Sequence, residues 1–137
     1  MTGLQHKTHS GDDLVLSTFT DIRQASLDLC ETLENEDFGL QAMAAVSPPK
    51  WHLAHTSWFF ETFILKPFFS GYQSFNPAYE YLFNSYYHGV GTQYSRAQRG
   101  LLSRPTVHEI FDYRVYVDTA MNELLAQSDH NDRENIL

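Results

Sequence analysis

Two histidines, His52 and His55, stand within Ser47-Pro-Pro-Lys-Trp-His-Leu-Ala-His-Thr-Ser-Trp-Phe-Phe-Glu61, a stretch whose composition is that of a helix. Ser47 is a good N-cap residue, and Pro48 fits the first helical position, where its missing N–H has no partner to lose. On that helix His55 shares a face with Trp51, Trp58, Phe59 and Thr62, and His52 lies about 60° round the axis. An imidazole turned inward among aromatic rings is kept neutral by desolvation, and the neutral ring is the form that ligates a metal. Spacing alone leaves two readings open. The commoner is a core histidine bonded to a nearby acceptor, because His-x-x-His lacks the third ligand that most metal sites require.

A second group is the basic island Arg96-Ala-Gln-Arg-Gly-Leu-Leu-Ser-Arg104 in an otherwise acidic chain. Guanidinium groups take carboxylates through paired hydrogen bonds, so Arg96 and Arg99 are candidate anchors for a small anion. In a solvated loop they would be surface arginines with no such role. Tyr86, Tyr87 and His88 are candidate pocket residues, although tyrosines packed over a helical core are the commoner case. Glu61 is expected to be solvated or hydrogen-bonded.

These residues must be positioned by helices. Val15, Phe19, Ile22, Leu29 and Leu33 recur at helical spacing after Ser10, which with Asp13 has the form of a capping box, and predict a helix over 12–34. The acidic cluster Glu34, Glu36, Asp37 and then Gly39 end it, and 41–46 is a short connector. The histidine helix should run to Lys66, with Pro67 as its stop. From Pro67 to Pro105 no period is sustained, which predicts a long binding loop or lid. A third helix starts at the capping box Thr106-Val-His-Glu109, carries the stripe Ile110, Tyr113, Val117, Met121 and Leu124, and ends near Gln127. Residues 1–11 are expected to be flexible, and 128–137 to be a polar tail or the start of a fourth helix.

The expectation is one all-α domain, most of an up-down bundle, with an apolar groove left open where a fourth helix would lie. That groove calls for a partner chain or self-association. Hydrophobic residues at 42% and aromatics at 15% of 137 are enough for one core. A net charge of −8 argues against a nucleic-acid partner, since phosphate binding needs clustered cations. Cys30 is the only cysteine, which excludes an intrachain disulfide and fits a reducing cytoplasm. No apolar run reaches membrane-spanning length.

Three motifs, in order, carry a resemblance: the Ser47–Thr62 stretch, Phe83-Asn-Ser-Tyr-Tyr87, and Gln98-Arg-Gly-Leu-Leu-Ser-Arg-Pro105. Across about 17–125 the chain resembles the N-terminal DinB-like domain of the ergothioneine-biosynthesis sulfoxide synthases, the EgtB family. The resemblance implies a DinB-like four-helix bundle, of which about three helices are present. It also implies a non-haem iron(II) enzyme that uses O₂ to join the thiol of γ-glutamylcysteine, or cysteine, to the imidazole of hercynine as a sulfoxide. Three histidines hold iron in that family. The first corresponds to His55 rather than His52, and the Arg-x-x-Arg pair for the thiol substrate's carboxylate corresponds to Arg96 and Arg99.

The departures are equally specific. The family's other two ligands lie in a His-x-x-x-His-x-Glu motif that this sequence lacks, His130 being the only histidine after the third helix. The family's C-terminal domain of the formylglycine-generating-enzyme type is also absent. The expectation is therefore a truncated or split enzyme that binds iron weakly and is inactive alone. The competing expectation is a non-enzymatic helical module completed by a partner helix. A thiol-dependent DinB-like metalloenzyme acting on another substrate would need the same missing histidines.

Overall fold

The computed structural model describes residues 11–85 and 89–127, and within them the chain is helical, with no strand. Helix α1 spans Gly11–Asp28, α2 Pro49–Phe60, α3 Lys66–Phe68, α4 Tyr79–Phe83 and α5 Val107–Gln127, with 3₁₀ turns at Asn35–Gly39 and Arg96–Leu101. The all-α expectation holds. Residues 1–10, with the Ser10 cap, Tyr86, Tyr87 and His88, and the 128–137 tail with His130 lie outside the described residues; Gly11, expected in a flexible terminus, belongs to α1.

The start of α5 follows the sequence closely. Thr106 Oγ1 accepts from Glu109 N at 3.2 Å while Glu109 Oε2 accepts from Thr106 N at 3.3 Å, the reciprocal capping box. Its stripe Ile110, Tyr113, Val117, Met121 and Leu124 is buried, and α1 and α2 both pack on this helix.

Helix α1 departs from expectation at its end and on its face. It stops at Asp28 rather than Glu34, because short-range bonds such as Cys30 N to Leu27 O (2.9 Å) and Leu33 N to Cys30 O (3.0 Å) tighten the chain into turns. Ile22 and Leu29 face outward, while Val15, Phe19 and Leu33 pack on the core. The inward position beside Ile22 is held by Arg23. Its Nε donates to Asp118 Oδ1 at 2.7 Å, its Nη2 to Ser57 Oγ at 2.6 Å and its Nη1 to Thr56 Oγ1 at 3.3 Å. Arg114 completes the knot, donating to Leu53 O at 3.0 Å, Thr56 Oγ1 at 3.2 Å and Arg23 O at 3.1 Å. Two buried arginines thus tie α1, α2 and α5 together, and each bond replaces water lost on burial.

The histidine helix also differs in detail. Pro48, not Ser47, is the N-cap, its carbonyl accepting from Trp51 N and His52 N. The helical path passes Pro67 and ends at Phe68, through a π turn at Glu61–Leu65 in which Lys66 N reaches Glu61 O. That wide turn restarts the ladder, so Pro67 falls in the first turn of α3, where a missing N–H is tolerated.

Arg114 bonds Leu53 near the start of both α5 and α2, while Ile64 and Met121 line one groove near their ends, so these two helices run the same way. Arg23 meets Asp118 while Leu14 and Leu125 share that groove, so α1 runs opposite to α5. The expected up-down alternation therefore gives way to a crossover: the loop after α3 carries the chain back along α2 to the end where α2 began. We expect Arg23→Ala to cost about 2–4 kcal/mol in urea unfolding, by leaving the buried Ser57 hydroxyl and Asp118 without their cation; Ile22→Ala, on the outward face, should change it by under about 1 kcal/mol.

Candidate functional site

The returning loop is fastened to α2 by side chains of the motif itself. Lys50 Nζ donates to Leu102 O at 2.9 Å, Trp51 Nε1 to Leu82 O at 3.0 Å, and His55 Nδ1 is 2.6 Å from Phe83 O. A carbonyl only accepts, so Nδ1 carries the proton and Nε2 is the lone-pair nitrogen of a neutral His55. Metal-ligating histidines are commonly fixed in this tautomer by the same kind of bond. The bond does not decide between the two readings of His55, because it is also what a structural histidine makes. The ring stands half-buried, stacked on Trp51 at 4.6 Å between centroids and on Trp58 at 5.6 Å. It faces the loop rather than the bundle centre, and Phe59, assigned to its face, is partly exposed.

Arg99 is 4% exposed, which overturns the surface-arginine reading for this residue. Its guanidinium lies 3.6 Å from the centroid of Trp51, and its Nη1 donates to Ser47 Oγ at 2.8 Å. Ser47, freed from helix capping, has become an arginine acceptor. The Arg99 Nε is buried with no hydrogen-bond partner among the described residues. That edge is the one a carboxylate takes bidentately. Arg96, partly exposed on the same 3₁₀ turn, adds positive charge. Burial, then the Arg96 charge, lowers Arg99 to about 10, which leaves it a cation at pH 7.

The 3₁₀ turn is held by Gln41, whose Nε2 donates to Arg96 O at 2.7 Å and whose Oε1 accepts from Gly100 N at 2.7 Å. A Cβ on Gly100 would stand 2.7 Å from Gln41 Cβ, so only glycine permits this clamp. His52 is exposed, its ring edge-on to Trp51. The site therefore gathers His55, Trp51, Ser47 and Arg99 with Arg96 alongside. Sequence reasoning missed Ser47, Lys50, Trp51 and Gln41 as its supports; the Ser-Pro-Pro-Lys-Trp run held the first three but read as capping and core.

Glu61 is hydrogen-bonded rather than solvated. It is 2% exposed and accepts from the hydroxyls of Tyr72 and, at 3.2 Å, Tyr113. Among the described residues, no three His, Cys, Asp or Glu side chains come together as a metal site. His55 can supply one ligand, and one imidazole does not hold a ferrous ion against water. No helix among the described residues is long and apolar enough to cross a membrane. No protein-family model and no curated protein matches the chain.

Burial is the first cause lowering the His55 pKa, with the Arg99 and His52 charges adding to it and the Phe83 bond opposing; burial and then Arg99 lower His52. Both protonate below the ordinary histidine value of about 6.5 when folded, and at about 6.5 when unfolded. Stability they contribute is present above that value and falls as pH drops through it toward the folded pKa. The urea midpoint should decline between pH 7 and 5.5, and His55→Asn, which keeps a donor for Phe83 O but cannot titrate, should flatten the decline. We further expect Gly100→Ala to lower the melting temperature by several degrees, the scale of about 1 kcal/mol in a domain this small.

Proposed function

We propose that this chain is the DinB-like part of a non-haem iron(II), O₂-dependent sulfoxide synthase of the ergothioneine-forming kind, joining a thiol, γ-glutamylcysteine or cysteine, to hercynine. The observation that supports it best is the pairing of His55, its Nε2 left as the lone-pair nitrogen, with Arg99, a buried guanidinium whose Nε has no partner. The two share the Trp51 ring as a common wall.

In this reading His55 offers the first iron ligand. Arg99, with Arg96 adding charge, takes the substrate carboxylate. Iron would supply oxygen activation when bound. What this chain's own residues do is narrower: Trp51 holds the imidazole and the guanidinium in fixed relation, and Ser47 and the Gln41 clamp stop Arg99 from turning away. Fixed relative placement of a thiol's carboxylate and the metal-side imidazole is the contribution to rate that a rigid scaffold can make. The family's remaining ligands have no counterpart in this sequence, so on this reading the activity also needs a segment that carries them.

A second reading, a helical module completed by a partner helix, is favoured by a groove of about 390 Å³ between α1 and α5, lined by Leu14, Val15, Phe19, Ile22, Ile64 and Met121 among others. Light scattering separates the two: a monomer that unfolds cooperatively counts against the module.

The direct test of the enzyme reading is anaerobic loading with Fe(II), desalting and elemental analysis. We expect well under one iron per chain alone. Near one iron is expected when the chain is co-expressed with a segment bearing His-x-x-x-His-x-Glu, falling at least about tenfold with His55→Ala. In that complex Arg99→Met should raise KM for the thiol more than it lowers kcat. Stoichiometric iron in the lone chain, or iron retention indifferent to His55, would overturn the reading.

A further inference from the structure

Glu61 stands at the start of the π turn, buried, and its side chain meets only donors. Its Oε1 accepts from the Tyr113 hydroxyl at 3.2 Å, and its Oε2 accepts from the Tyr72 hydroxyl and, at 3.5 Å, from Phe75 N. A carboxyl group that only accepts has no acceptor for a proton of its own, so this is the arrangement of an ionised carboxylate. No cation stands beside it among the described residues. A buried charge in that position is costly, and taking up a proton would remove the cost.

The proton best placed for this is on Tyr72. A phenol that gives up an electron becomes a strong acid, so a tyrosine is oxidised readily only where a positioned base takes its proton. Tyr116 and Tyr94 donate to backbone carbonyls, of Gln73 at 2.6 Å and Gln98 at 3.2 Å, and a carbonyl is too weak a base for that. Tyr72 and Tyr113 donate to a carboxylate instead. Tyr113 is wholly buried, whereas Tyr72 is half-buried and lines an open cleft of about 620 Å³ between the loop after α3 and α5. Along that wall Tyr72 meets Tyr116 at 5.9 Å and Tyr116 meets Phe75 at 5.3 Å. An oxidant resting on any of these rings is therefore close to Tyr72.

We propose that Tyr72 and Glu61 form a redox-active pair: a one-electron oxidant of the metal-complex class takes an electron from the Tyr72 ring at the cleft, while the phenolic proton crosses to Glu61 Oε2. The products are a neutral phenoxyl radical, a neutral carboxylic acid and the oxidant reduced by one electron. A one-electron donor at the same cleft reverses each step. The negative charge that disappears is the buried one on Glu61, so burial favours this oxidation, although it opposes that of a phenol with no base. The pair is separate from His55 and Arg99 and independent of the reading of that site.

The test is flash oxidation of the full chain by photogenerated tris(bipyridine)ruthenium(III), with the phenoxyl radical followed by its optical absorption and, after freeze-trapping, by electron paramagnetic resonance. Because the base is internal, the radical should form at the same rate from about pH 6 to about pH 8, and more slowly in D₂O. Tyr72→Phe, which removes only the hydroxyl, should lower the rate at least about tenfold, and Tyr116→Phe should leave it unchanged. Glu61→Gln keeps an acceptor oxygen but not the base, and should slow the radical at least about tenfold, with near-ultraviolet circular dichroism reporting that the core persists. A rate indifferent to Tyr72→Phe, or one that climbs with pH as loss of the proton to buffer requires, would overturn the proposal; neither result depends on the Glu61 variant folding.

Discussion

A long connection with little regular structure must have its backbone carbonyls satisfied by something other than a ladder of its own. Here α2 supplies the donors. Lys50, Trp51 and His55 reach across to Leu102, Leu82 and Phe83, and Arg99 returns the contact from the loop side through Ser47. This fastening makes the crossover possible, and the crossover lets α2 and α5 run in the same direction. It also explains why the histidine, the tryptophan and the arginine meet: the loop that carries Arg99 is laid along the helix that carries the other two. Scaffold and candidate site are one set of bonds, so a substitution in either disturbs both.

Helix α5 was legible in the sequence because local and tertiary demands agree there. Its capping box and apolar stripe point to the same boundaries that packing requires. In α1 they diverge. Ile22 and Leu29 fit the helical period, yet the inward position goes to Arg23, because a guanidinium can satisfy acceptors from α2 and α5 at once. Hydropathy cannot signal this, since the partners Thr56, Ser57 and Asp118 lie far away in sequence. The cap of α2 moved for a related reason. Ser47 has one hydroxyl, and the distant Arg99 competes for it successfully, while the first-turn N–H groups use the Pro48 carbonyl. Pro67 misled because a proline stops an α ladder but not a helical path that has just passed through a wide turn.

The candidate site was legible as residue types and not as architecture. His55 and Arg99 were evident as chemistry-bearing side chains, but nothing in their spacing shows that Trp51 separates and aligns them. The direction of α5 relative to α2 was illegible for a physical reason: loop length permits either an alternation or a crossover, and the choice rests on side-chain bonds from α2 to the loop. Gln41 shows the same limit. It lies in a connector that pattern reading treats as filler, yet it fixes both ends of the turn that presents Arg96 and Arg99.

The distribution of charge adds a constraint of its own. The chain carries a net charge of −8, yet Arg23, Lys50, Arg99 and Arg114 are all buried. Arg23 has Asp118 as its counterion, at 2.7 Å. Lys50 and Arg99 donate to a carbonyl and a hydroxyl, and neither is in an ion pair among the described residues. Neutral acceptors compensate a buried cation less well than a carboxylate does, so this end of the molecule holds uncompensated positive charge at a cost in stability. An apolar side chain at position 99 could keep the contact with the Trp51 ring but would lose the bond to Ser47 that fastens the loop. An unpartnered Nε is shared by Arg114, whose other nitrogens have three acceptors; Arg99 has one hydroxyl and no counterion among the described residues, and it is this shortfall that the proposed carboxylate would make good.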